Sequence, residues 1–218
     1  MKKIFRVLLV AYLVTSPILI LFLIYKTVFL TKKIFDLQND FLTRNTVETY
    51  PVEALYTEDT PFLGSPNARV KILWYTDVDC SACQGSFQNI SDLLNAYPEE
   101  IVVYFKFLPS ENKTHQLAHQ LLLHAWEKGQ FFDIANLFFS DKSARQPSAV
   151  AQLKDEIGFP DEESETVASY DMALTQNLSE FRALGTYATP TFVVNGKVWS
   201  GSNKARLLTE IQAVPAPK

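Results

Sequence analysis

The two cysteines of this chain, Cys80 and Cys83, are separated by two residues and lie between a predicted strand and a predicted helix. The preceding segment, residues 68–77, has the β-branched and aromatic residues of a buried strand. The following segment, residues 84–97, repeats apolar residues with the period of a helix. Both cysteines are therefore predicted to lie in the first turn of a helix that directly follows a buried strand.

The remaining patterns predict an α/β fold class. A second strand at residues 101–109 completes a β-α-β unit, whose two strands are expected to run parallel. Residues 113–184 show mostly helical patterns. The segment TPTFVVNGKVWSGS, residues 189–202, predicts a hairpin, because Asn-Gly joins two β-rich runs. Residues 203–214 are predicted to form the closing helix.

The position of the cysteines favours electron exchange. A helix N-terminus offers unpaired backbone N–H groups and the positive end of the helix dipole, and both stabilise a thiolate. Cys80 would then be the attacking or attacked sulfur, and Cys83, one turn further in, would resolve a mixed disulfide. Cysteines this close make a poor structural clip, because closing so short a loop removes little entropy from the unfolded chain. A pair of inert buried cysteines is an alternative.

Zinc binding is the other alternative, since His115 and His119 would complete a nominal set of four ligands with the cysteines. However, 31 residues separate Cys83 from His115, whereas the zinc-finger pattern has roughly 12–15. We therefore expect no metal site. His115, His119 and His124 are interpreted as polar, partly packed positions on one helix.

Composition allows a substantial core and argues against nucleic-acid binding. The apolar share of 47% is ordinary for a globular protein. A formal net charge of −4, without a basic cluster in the globular part, does not suit contacts with phosphates. Four phenylalanines of the helical block are expected in its core, namely Phe131, Phe132, Phe138 and Phe139.

The N-terminus is predicted to cross a membrane once. Residues 7–25 form an uncharged run of 19 residues, enough for a transmembrane helix. No A-x-A cleavage site follows, so an uncleaved signal anchor is favoured over a cleaved signal peptide. The expected organisation is an anchor at 1–30, a stalk or linker at 31–61 and a globular domain at 62–215. The stalk is expected either to pair with a copy of itself, giving a homo-oligomer, or to lie as an amphipathic segment on the membrane or the domain.

Two segments of the globular part resemble the DsbA-like branch of the thioredoxin superfamily. They are LGSPNARVKILWYTDVDCSACQ, residues 63–84, and ATPTFVVNGKVWSG, residues 188–201. The resemblance implies a thioredoxin fold with an inserted helical subdomain at about residues 110–184, here preceded by the transmembrane helix. It also implies a cis peptide bond at Pro190, beside Cys80, and a contact of Thr189 with the substrate backbone. A proline at a strand entry, which cannot donate to the sheet, agrees with such a bond.

The resemblance further implies a membrane-anchored protein thiol–disulfide oxidoreductase. It would pass the Cys80–Cys83 disulfide to the thiols of substrate proteins, with no cofactor beyond that disulfide. The domain would lie in the bacterial periplasm or another extracytoplasmic space, anchored in the inner membrane. A DsbB-like membrane partner would reoxidise it. The alternatives are a reductase or isomerase kept as the dithiol by a DsbD-like partner, or a non-catalytic thioredoxin-fold binding or assembly protein.

The redox potential is expected to be tuned by residues around the cysteines, namely Asp77, Asp79, Ser81 and Ala82. Strongly oxidising relatives carry a histidine where this chain has Ala82, which cannot stabilise the thiolate. Trp74 replaces a buried acid of related proteins. Asp77 or Asp79 would disfavour the Cys80 thiolate by like-charge repulsion, although Asp79 could instead cap the helix and Asp77 could form a turn. A couple less oxidising than the extreme of the family is expected.

Overall fold

The computed structural model describes residues 25–33 and 55–214. The chain divides into two compact units, residues 1–47 and residues 48–218. The described residues of the second unit contain both cysteines and all three histidines, so the candidate site is built within that unit.

In the first unit, residues 25–33 are helical. The side chains of Val28, Phe29 and Leu30 in this helix are more than half exposed. The predicted membrane segment, residues 7–25, lies outside the described residues except for its last position, and so does most of the predicted stalk. Within the described parts of the chain, no helix is both long enough and apolar enough to cross a bilayer.

In its described residues, the second unit contains five strands and six α-helices. The strands are β1 (Phe62–Gly64), β2 (Val70–Thr76), β3 (Ile101–Phe107), β4 (Thr191–Val194) and β5 (Lys197–Ser200). The helices are α1 (Ser81–Ala96), α2 (Lys113–Glu127), α3 (Phe131–Ser140), α4 (Pro147–Glu156), α5 (Glu165–Ala183) and α6 (Lys204–Ala213), with a 3-10 helix at Ser143–Arg145.

The strands form one mixed sheet in the order β1-β3-β2-β4-β5. β2 and β3 pair in parallel, as expected for two strands joined by α1, and the other pairs are antiparallel. β4 and β5 form the predicted hairpin, whose Asn195 and Gly196 both have positive φ, as a tight two-residue hairpin turn requires. Four α-helices, α2 to α5, lie between β3 and β4, which confirms the predicted helical insertion.

The sheet is covered on both faces, so four consecutive residues in its central strand β2, Ile72 to Tyr75, are buried and large. Ile72 and Trp74 of β2 belong to a core cluster with residues of α1, α2 and α3. Leu73 and Tyr75, which alternate with them, pack with Phe181 of α5 in a second cluster. This two-sided burial explains why β2 reads as a continuous apolar run rather than as an alternating pattern.

Trp74 lies at the centre of the larger core cluster and is fully buried. The centroid of its ring lies 5.2 Å from the ring centroids of Phe105 and of Phe139. The ring also stacks on that of Phe192, with 6.1 Å between centroids. Three of the four expected core phenylalanines are buried, which confirms the expectation for them, but it is wrong for Phe132, which is 50% exposed. It lies on the outer side of α3, whereas its neighbour Phe131 faces the core.

We predict that Trp74→Ala lowers the free energy of unfolding by about 3–5 kcal/mol, because it removes a fully buried aromatic ring and leaves a cavity. Phe132→Ala is the matched control and should change it by about 0.5 kcal/mol or less, since half of that side chain is already in solvent. Urea denaturation of the reduced protein measures both values. Equal losses for the two variants would contradict the assigned core.

Candidate functional site

The two cysteines begin α1 and differ sharply in exposure. Cys80 is the N-cap residue and is half-buried, whereas Cys83 is fully buried. The N–H groups of Cys83 and Gln84 both donate to the carbonyl oxygen of Cys80, at 2.9 and 3.1 Å. The first helical turn therefore presents the sulfur of Cys80 toward the surface and buries that of Cys83 in the core.

No side chain caps α1, so the alternative in which Asp79 caps the helix is wrong. The carboxylate of Asp79 is directed elsewhere, with Oδ2 at 3.7 Å from Nδ1 of His115. Its backbone N–H donates to Oδ1 of Asp77 at 2.9 Å, which confirms Asp77 as a turn-forming residue. Because no side chain caps α1, the backbone N–H groups of its first turn remain available to stabilise a thiolate at Cys80, the N-cap residue.

Asp77 holds together the cysteine loop, residues 77–79, which lies between β2 and Cys80. Its backbone carbonyl accepts from the N–H of Cys80 at 3.2 Å, and its carboxylate accepts from Asp79. Burial raises the pKa of the Asp77 carboxyl group, whereas a protonated His119, the Asp79 N–H and a protonated His115 each lower it. The Asp77 carboxylate lies three residues before Cys80.

The environment of Cys83 keeps its thiol protonated. Burial raises the pKa of Cys83 to about 12, and the neighbouring Cys80 adds to the rise. The Thr76 hydroxyl and the backbone of Asp77 face the Cys83 sulfur and act in the opposite direction. The two sulfurs of one Cys-x-x-Cys pair therefore have different chemistry, although only two residues separate them.

The loop before β4 completes the site from the far end of the sequence. The Thr189–Pro190 peptide bond is cis, as expected from the resemblance. The Cys80 thiol donates to the carbonyl oxygen of Thr189 at 3.3 Å, across 109 positions of sequence. Pro190 is buried and its carbonyl accepts from Gly201 at 2.7 Å, so the backbone on the Cys80 side is that of Thr189.

Three hydroxyl groups, of which those of Thr186 and Thr191 belong to buried residues, hold this loop in place. Thr186 Oγ1 lies 2.9 Å from Thr191 Oγ1 and 2.7 Å from Ser200 Oγ, and Thr191 also donates to the carbonyl of Ala188. Between these anchors, Tyr187 is 84% exposed. This cluster was not predicted, although three hydroxyl residues at a strand entry and in the partner strand were a signal for it.

The remaining predicted residues lie at the start of α1 and in β2. Ser81 and Ala82 are exposed in the first turn of α1, directly after Cys80. Trp74, at the position of the missing buried acid, has no hydrogen-bond partner for its indole Nε1. It therefore offers Cys83 no proton acceptor.

Two histidines of the insertion contact the cysteine loop, which the sequence analysis did not predict. The helix α2 places His115 beside Asp79 and places Nε2 of His119 at 3.5 Å from Asp77 Oδ1. His119 is fully buried rather than partly packed. Among the residues that the structure describes, no group of three or more His, Cys, Asp or Glu side chains could hold a metal ion.

We predict that iodoacetamide alkylates only Cys80 in the folded dithiol protein at ~pH 7.5. Because burial raises the Cys83 pKa to about 12, almost no thiolate forms there, and its modification should be slower by roughly three orders of magnitude or more. Mass spectrometry of tryptic peptides measures the two rates, and both cysteines should react after unfolding in urea. Similar rates for both cysteines in the folded protein would contradict the assigned geometry.

Comparison with known proteins agrees with this geometry. The family model described as thioredoxin matches residues 56–212, which is most of the chain. Among proteins with curated functions, no sequence matches.

Solved structures with the same fold have low sequence identity to this chain. BcfH from Salmonella enterica Typhimurium is similar with a TM-score of 0.68 and 19% identity, covering 94% of this chain and 98% of that chain. The thiol-disulfide exchange protein alpha-DsbA2 from Wolbachia pipientis is similar with a TM-score of 0.63 and 17% identity, covering 72% of this chain and 88% of that chain. A periplasmic thioredoxin-like protein from Salmonella enterica serovar Typhimurium is similar with a TM-score of 0.63 and 20% identity, covering 73% of this chain and 92% of that chain.

These similarities confirm the DsbA-like form of the fold, in which helices are inserted between β3 and β4. The match of residues 56–212, together with the Cys-x-x-Cys pair and the cis-proline loop, shows that the chain belongs to the thioredoxin family.

Proposed function

We propose that this chain, a thiol–disulfide oxidoreductase of the thioredoxin family, forms disulfides in client proteins outside the cytoplasm. The observation that carries this proposal is the placement of the two sulfurs. Cys80 is accessible and lies 3.3 Å from the Thr189 carbonyl oxygen, while Cys83 is buried beneath it. This asymmetry gives one sulfur access to clients and reserves the other for an internal step.

The reaction begins with the protein in the disulfide form. A client thiolate attacks the sulfur of Cys80, which forms a client–Cys80 disulfide and breaks the Cys80–Cys83 bond. The electron pair of the broken bond stays on Cys83, which takes up a proton. The raised pKa of Cys83 in the dithiol form favours this proton uptake.

A second client thiolate then attacks the client sulfur of the mixed disulfide. This step forms the client disulfide and releases Cys80 as a thiolate at the N-terminus of α1, where the helix dipole favours negative charge. Two client thiols have been oxidised and one protein disulfide has been reduced. The same steps in reverse order, starting from the dithiol, would reduce client disulfides. The Cys83 thiolate would then resolve the mixed disulfide.

Thr189 and Pro190 are proposed to bind the client backbone. Pro190 has no N–H and its carbonyl is already paired with Gly201, so the free edge beside Cys80 belongs to Thr189. An extended client segment can pair there as an added strand, as exposed sheet edges allow. The Thr189 carbonyl that accepts from the Cys80 thiol would then define where the attacked client sulfur lies.

Ser81, Ala82, Asp77 and Asp79 are proposed to set the potential of the couple. Ser81 and Ala82 add no charge beside the Cys80 sulfur. The Asp77 carboxylate opposes a second negative charge nearby. These features favour a couple that is less oxidising than the extreme of the DsbA-like proteins.

We further propose a location and a partner. The apolar residues 7–25 would anchor the chain in the bacterial inner membrane as an uncleaved single pass, with the catalytic domain in the periplasm. A similar fold in a protein described as periplasmic supports an extracytoplasmic domain. A DsbB-like membrane protein would reoxidise the dithiol, and the stalk would bring copies of the chain together.

A reduced peptide with two cysteines tests the activity directly. We predict that the oxidised protein converts about one equivalent of peptide to its disulfide, whereas Cys80→Ser converts none, because the accessible sulfur is absent. Cys83→Ser, loaded at Cys80 with glutathione and given a peptide with a single cysteine, should exchange glutathione for the peptide and stop at a peptide–Cys80 adduct. Mass spectrometry resolves all three products.

Cys83→Ser is also the matched control for the loss of Cys80, because each variant keeps one thiol. Peptide oxidation by Cys80→Ser, or adduct formation at Cys83 as fast as at Cys80, would contradict the proposed roles. A wild-type protein that binds the peptide without oxidising it would instead favour the binding-protein alternative.

A further inference from the structure

The insertion helix α2 contacts the loop that precedes the catalytic cysteines. This loop, residues 77–79, lies between the end of β2 and Cys80. His119, in the second turn of α2, is fully buried and its ring stacks on Phe107 of β3, with 5.6 Å between ring centroids. A histidine is therefore packed against the loop within an apolar surrounding.

The closest polar contact of His119 is with the loop backbone. The N–H of Val78 donates to Nε2 of His119 at 3.2 Å, and Val78 is itself fully buried. A buried backbone N–H without an acceptor costs about as much as a lost hydrogen bond. The imidazole therefore supplies the acceptor for the Val78 N–H at a buried position where water cannot take its place.

The Val78 contact specifies the neutral form of the ring. Nε2 can accept from Val78 only when it carries no proton, and the proton then resides on Nδ1, which is buried and has no partner in the described structure. A protonated ring would turn Nε2 into a donor toward Asp77 Oδ1, 3.5 Å away, and would leave the Val78 N–H without its acceptor. The other carboxylate of the loop, Asp79, pairs with His115 of α2 instead.

The loop in turn contacts both cysteines. The carbonyl of Asp77 accepts from Cys80, and the backbone of Asp77 faces the Cys83 sulfur. The carbonyl of Val78 accepts from the side chain of Gln84 in α1 at 3.3 Å. Fixing Val78 therefore fixes the backbone groups that surround both sulfurs.

We propose that neutral His119 is a positioning residue for thiol–disulfide exchange at Cys80 and Cys83, acting through its hydrogen bond from the Val78 N–H. This inference rests on the proposed function. The insertion helix thereby does more than cover the sheet, because it sets the backbone geometry that stabilises the sulfurs of the dithiol form.

Two substitutions separate the acceptor from the imidazole. His119→Gln places an amide oxygen close to the position of Nε2, so the Val78 N–H keeps an acceptor. His119→Asn is also polar, but its shorter side chain does not reach that position. The control is His124→Asn, on the same helix, because His124 is also buried but contacts Tyr170 at 3.0 Å instead of the loop.

Two readouts on the full chain in mild detergent test the proposal, namely the alkylation rate of Cys80 and the equilibrium with glutathione. We expect His119→Gln and His124→Asn to stay within about twofold of wild type in both. His119→Asn should slow alkylation about tenfold. It should also shift the equilibrium about tenfold toward the disulfide, which equals roughly 30 mV for a two-electron couple. Urea midpoints of all variants separate these effects from a loss of stability.

Wild-type values for His119→Asn would overturn the proposal, and so would a His119→Gln protein as impaired as His119→Asn. In either case the proposed function stands, because the wild-type couple is measured in the same buffers. A wild-type protein without any reversible couple would overturn the proposed function and this inference together.

Discussion

The candidate site depends on the antiparallel pairing of β2 with β4. This pairing sets Tyr75 opposite Thr191, so the end of β2, which leads to the cysteines, lies beside the start of β4. The Cys80 thiol reaches the Thr189 carbonyl at 3.3 Å only because these two strand ends are adjacent. Because the insertion connects β3 to β4, its helices can vary in length without separating the two halves of the site, provided that this strand pairing is kept.

The second constraint is the difference in burial between the two sulfurs. A spacing of three positions in the first turn of a helix places Cys80 at the N-cap and turns Cys83 toward the core. The core beneath Cys83 is aromatic and supplies no acid, since Trp74 takes the place of the buried carboxylate known in related proteins. The groups that lower the Cys83 pKa are instead the Thr76 hydroxyl and the backbone of Asp77.

The sequence predicted the elements that are set by local patterns. The strand before Cys80, the helix after it, the Asn-Gly hairpin and the cis bond at Pro190 were all readable from spacing, residue type or the resemblance. Contacts between distant elements were not, because a helical period does not say which helix face meets which loop. For that reason His119 was expected to be partly packed, Asp79 was given as an alternative helix cap, and the exposure of Phe132 was missed.

The equilibrium potential of the Cys80–Cys83 couple, measured on the full chain in glutathione buffers, tests the central claim most directly. Disulfide formation at a site tuned by Asp77 and lacking a histidine at Ala82 predicts a reversible two-electron couple. Its potential should lie between about −120 mV, the value of DsbA, and about −200 mV, the upper end of the glutaredoxin range. A potential near the roughly −270 mV of thioredoxin would contradict disulfide formation and favour a reductase. No reversible couple at all would contradict the redox role of these cysteines.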